Sequence, residues 1–222
     1  MTNTNVGPLR LAVGSHKAGS GRGCAMNVIS WENGDSRISD MPDCTHPFLS
    51  RVVQRLNDSI CAHRDGDLLC ADCSVIVLGL AHRTVGTADA DPDGCVMVRI
   101  AAEEAQRVAH LNSDPRVQAA IDAALAWADT PTYAANTGDA AYAARAAAAA
   151  RAAAVGDADA YAANYAAYAA ALDPPAADAA VGRVEQTERI IDRFRALTGH
   201  DTTAPDPTVT AQAITRMLQV TA

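Results

Sequence analysis

The sequence predicts a mostly α fold, a multi-helix bundle, and three observations carry that reading. Apolar residues recur at steps of three and four over Leu49, Val52, Val53, Leu56 and Ile60, the spacing of one helix face. Asp114-Pro115, Asp173-Pro174 and Asp206-Pro207 each write a helix start. In each, a carboxylate accepts from free amides, and the proline sits where a missing N–H costs nothing. Beyond Thr87 the chain is rich in alanine, the best helix former, and shows almost no strand pattern.

In chain order, LRLAV (9–13) alternates and reads as a short strand, followed by the loop GSHKAGSGRG (14–23). CAMNVISWEN (24–33) reads as a helix that stops at Gly34. The segment SDMPDCTHP leads into the amphipathic helix of Leu49 to Ile60, with Thr45 placed to cap it. The apolar run Val75 to Leu80 continues as helix to Val85 and ends at Gly86, with a buried strand as the competing reading of so short a run. Gly138-Asp139 and Gly156-Asp157 punctuate the Ala-rich run, each a stop followed by a new cap. A helix from Pro174 carries Val184, Ile190, Ile191, Phe194 and Leu197 and stops at Gly199, and VTAQAITRMLQV forms a last short one. The change of composition predicts two parts, a Cys-containing N-terminal unit over 1–87 and an Ala-rich helical region over 88–222. Tyr161, Tyr165 and Tyr168 make an aromatic stripe at helical spacing, a packing seam between helices or between chains.

The 222 residues suffice for a sizeable core without disulfide staples. The net charge of -8 is uneven: 8 basic and 8 acidic residues lie up to Arg83, with 10 and 18 beyond. An acidic chain lacks the basic surface that duplex nucleic acid requires. No apolar stretch is long enough to cross a membrane, and MTNTNVGPLRLAVGS lacks the regions of a signal peptide, so a cytoplasmic protein is expected, with no membrane partner.

In a reducing compartment six cysteines read as thiols or metal ligands. CAHRDGDLLCADC places Cys61 and His63 ahead of the C-x2-C pair Cys70 and Cys73, with an Asp65-Gly66 turn between them to fold the chain back. Four such ligands with none spare make a closed structural zinc site, which gives the bundle a small zinc-knuckle-like N-terminal unit. A buried thiol core and redox C-x2-C chemistry are the alternatives. Cys24, Cys44 and His46 offer a sparser three-ligand set.

Strand, Gly-rich loop and helix is an order that cradles phosphate, although Ser20 and Gly21 stand where a P-loop needs Lys and Ser or Thr. Lys17, Arg22, Gly19 and Gly21 are the candidate anion- or nucleotide-binding residues, with a plain turn as the alternative. A hydrolase would use a metal, or Cys24 at a helix start as nucleophile, with His16 or His46 as base and Asp40 or Asp43 to orient it.

Cys24 and Met26, Asp40-x-Pro42-x-Cys44, Asn57-Asp58 and Val85-Gly86-Thr87 together resemble a family of uncharacterised bacterial and bacteriophage proteins, over about the first 87 residues. The resemblance implies a fold unit. Where bacterial members carry Trp near the Ser-Asp, this chain has Arg37 and Ile38. A phage-encoded member would be directed at a host factor. The readings together predict a non-enzymatic, zinc-stabilised helical accessory protein acting by association with a protein partner or with itself. The alternatives are a nucleotide- or anion-binding sequestering protein, taking a small phosphorylated ligand, and a cysteine- or metal-dependent hydrolase.

Overall fold

The computed structural model describes residues 10–14, 16, 22–111, 115–129 and 176–200. The helices are α1 (Ala25–Asn33), α2 (Pro47–Ser59), α3 (Ala71–His82), α4 (Cys95–Val108), α5 (Pro115–Ala128) and α6 (Ala176–Thr198). Among the described residues no strand forms and isolated bridges are the whole of the β structure, so the fold is mostly helical as the sequence predicts. No helix among them is long and apolar enough to cross a membrane. The chain divides into a first unit, Met1–Ala90 with Arg183–Ala222, and a second, Asp91–Gly182. The Tyr161, Tyr165 and Tyr168 stripe, the start at Asp173-Pro174 and the final predicted helix lie outside the described residues.

In the first unit α1, α2 and α3 pack on one another. Their contact buries Met26, Ile29, Leu49, Val53, Leu56, Val77 and Leu78, the helical spacing on each element turned inward. The first helix starts in a reciprocal cap, in which the Asn27 amide oxygen accepts the Cys24 N–H at 3.1 Å. It stops at Gly34, whose φ of +77° lets its N–H turn back to Ser30 and Trp31 carbonyls.

Two returns of the chain complete this unit. Cys44 to His46 lie along Val85 to Thr87: Thr45 bridges Val85, Gly86 N–H donates to Cys44 O (2.8 Å), and His46 N–H donates to Thr87 Oγ1 (3.0 Å). Thr45 is therefore not the cap of α2. Its buried hydroxyl bonds Ser50 Oγ at 2.7 Å, and His46 caps instead, Nδ1 accepting from Phe48 N–H. The described part of the alternating LRLAV stretch, residues 10–13, forms a single bridge, Ala12 to Leu68, rather than a strand. Fully buried Asn57 joins it to the helices: Nδ2 donates to Ala12 O (2.9 Å) and Oδ1 accepts from Ala25 N–H (3.3 Å).

The part of α6 from Arg183 onward also belongs to the first unit, so the Ala-rich region taken as 88–222 surrenders its C-terminal helix to the N-terminal residues. Ile191 and Phe194 are fully buried, and the Phe194 ring lies 5.0 Å from His46 and 6.4 Å from Phe48, centroid to centroid. Arg83 pairs with Asp192, and Arg195 Nη1 donates to Arg83 O at 2.7 Å.

One polar contact between α1 and α3 makes the first unit pH-sensitive. His82 Nε2 meets Glu32 Oε2 at 2.7 Å and Nδ1 meets Leu78 O at 2.9 Å, so both ring nitrogens face acceptors, an arrangement that favours the charged ring. Burial works against the charged ring, but the Glu32 carboxylate and the Leu78 carbonyl outweigh it and raise the His82 pKa above the ordinary value. A raised cation pKa stabilises the fold fully below about pH 6.5, the unfolded value, and the contribution is lost as pH rises through the folded one. Urea midpoints across that window should fall for the wild type and stay flatter for His82→Gln, whose stability at pH 6 drops by about 2 kcal/mol.

In the second unit α4 packs on α5. The helix pair is tied by Arg99 with Asp129 and by the Gln106 and Gln118 amides. Buried Asp91 accepts from the N–H groups of Val96 and Met97 and so caps α4 from the residues before it, and α5 begins at Pro115 as the Asp-Pro signal indicates.

Candidate metal centre

The end of α2 delivers Cys61 into the core immediately after Ile60, and both are buried. The chain then swings outward through residues 62 to 66, all exposed, and closes in a tight turn in which Asp65 and Leu68 exchange both backbone hydrogen bonds (3.0 and 3.1 Å). Gly66 has φ +62°, the sign that the first corner of a type II′ turn requires. The returning residues are held to the front segment: Leu69 N–H donates to Leu11 O (2.8 Å), Val13 N–H to Asp67 O (2.9 Å), and Arg10 Nε to Leu69 O (3.0 Å). Cys70 thereby becomes the N-cap of α3, and Cys73 follows in its first turn.

This path brings three thiols together. The sulfurs of Cys61, Cys70 and Cys73 lie within 4.8 Å of one another, the first buried and the other two half-buried, and they form a candidate metal site. Cys70 N–H donates to Cys61 Sγ at 3.4 Å. The Cys73 N–H directed at Cys70 holds that thiol below its ordinary pKa. Burial, then the hydrogen bonds to Cys70 and Cys61, push the Cys73 thiol up to about 12. Three sulfurs gathered at a helix start are a soft donor set suited to a thiophilic cation, which binds as it displaces their protons.

His63, predicted as the fourth ligand, does not join them. It stands on the exposed arc between the end of α2 and the turn, outside the three-thiol group. Nor do Cys24, Cys44 and His46 converge: the three-thiol cluster is the one such group among the described residues. Cys24 is engaged at the start of α1 and His46 at the start of α2.

The other expected sites have different surroundings. Burial raises the Cys24 pKa, against the needs of a nucleophile, and burial with the nearby Asp35 charge raises that of Cys44. Of the anion-binding set, Lys17, Gly19 and Gly21 lie outside the described residues, while Arg22 pairs with Asp67. Gly14 N–H, at the loop entrance, donates to Asp58 Oδ1 at 2.9 Å. A carboxylate thus sits at each end of the loop, the charge an anion would avoid.

No family model matches the chain, and comparisons with curated proteins and with solved structures find no match either.

Proposed function

We propose that the protein is a zinc-stabilised helical accessory protein that acts by association with a protein partner and catalyses no reaction. The three-thiol group carries this reading. Its ligands join the end of α2 to the start of α3, so a bound ion would staple two core helices and the bridge between Leu68 and Ala12. Zinc suits three thiolates and has no redox chemistry of its own. Association is supported by α3, an apolar helix that leaves Val75 (52% exposed) and Ile76 (43%) in solvent.

The test is metal analysis with native mass measurement of untagged protein. One zinc per chain is expected, together with a chelator-induced drop in melting temperature. Zinc far below stoichiometry, or a melting curve indifferent to chelation, sinks the reading. Cys73→Ser should weaken zinc binding by at least ~100-fold, since even partners of metal ligands cost about 10–100-fold; competition with a chromophoric chelator reads this out.

A further inference from the structure

We propose that the three-thiol centre is an open metal site, holding its ion through Cys61, Cys70 and Cys73 and leaving one coordination position for a thiol from outside the chain. The inference rests on the metal reading above and deepens it. Zinc takes four ligands, and a site with three protein ligands keeps the fourth position for water or an exogenous group. All six cysteines and all six histidines of the chain lie within the described residues, and three of these twelve side chains converge. Several of the others are committed elsewhere: His46 to the start of α2, His82 to Glu32, and His200 to Thr198 at 2.9 Å. The fold therefore brings no fourth thiol or imidazole to the group, and the closed clasp expected from the sequence becomes a three-ligand site with an open corner.

The chemistry of the corner selects the ligand. Three thiolates make a soft centre, and soft centres take a further sulfur in preference to oxygen. Added negative charge is accommodated by the start of the twelve-residue helix α3 and by N–H groups already directed at sulfur, Cys70 toward Cys61 and Cys73 toward Cys70. Access is on the half-buried side, where Cys70 and Cys73 reach the surface. Ile76, one turn beyond Cys73 on the same side of α3, is exposed and offers apolar contact to the carbon stem of the ligand.

Cobalt(II) loaded into the full chain in place of zinc reports the coordination by absorption. Wild type and His63→Ala are expected to give the same spectrum. Adding 2-mercaptoethanol should raise the sulfur-to-cobalt charge-transfer band about 1.3-fold, four thiolate bonds against three, whereas ethanol at equal concentration leaves it unchanged. The inference is overturned if His63→Ala alters the starting spectrum, if the thiol leaves the band unmoved, or if the thiol strips the cobalt and the band is lost. Failure of the protein to bind cobalt or zinc at all overturns the metal reading itself, which separates the two outcomes.

Discussion

Phe194→Ala is expected to destabilise the first unit by about 3–5 kcal/mol, a large share of the ~5–15 kcal/mol that holds a domain together. The ring is fully buried and lies against His46 and Phe48, and its removal leaves a cavity lined by the start of α2. Phe194→Leu, which keeps most of the volume, should cost roughly 1–2 kcal/mol. Chemical denaturation followed by Trp31, the tryptophan of the first unit, reads both. Equal midpoints for Phe194→Ala and wild type would mean that α6 contributes nothing to the first unit's core.

The second large effect is expected at Asn57. Alanine there leaves the Ala12 carbonyl and the Ala25 N–H without their partner, at about 1–3 kcal/mol for each buried group. Asn57→Asp should be at least as damaging, because it turns an acceptor and a charge toward the Ala12 carbonyl in a fully buried position. The substitution should also be felt at the three-thiol group, since Ala12 bridges Leu68 two residues before Cys70. Loss of stability with intact zinc affinity would show that the front segment does not position the thiols.

Much of this was legible in the sequence, for local reasons. The face of Leu49, Val53 and Leu56 fixes α2 by spacing alone, and Gly34 and Gly199, both with φ above +70°, stop their helices where a glycine is needed. The thiols were legible because Cys70 and Cys73 share a turn and Asp65-Gly66 folds the chain toward Cys61. His63 stands apart from the three sulfurs because the chain swings outward through residues 62 to 66, and nearness along the chain does not fix the side of a bend that a residue takes. Spacing also missed α4, whose cap comes from Asp91, several residues ahead of its first turn. The start of α3 at Ala71 was hidden because apolar residues surround the helix and no stripe marks its face. Of the residues that carry the family resemblance, Cys44 leads into the stretch that pairs along Val85 to Thr87, and Asn57 clasps three segments. Least legible was the destination of α6, because an apolar helix face does not say which core it will enter.

That destination has a consequence for synthesis of the protein. Arg83 and Asp192, partners in the finished unit, are separated by 109 residues. At about 5–20 residues per second, the ribosome needs roughly 5–20 s to make the intervening chain. For that interval the emerging first ninety residues have His46 and Phe48 without the Phe194 ring that covers them. A chaperone at the exit tunnel would find its binding surface there, and stalling the chain before Phe194 should capture it.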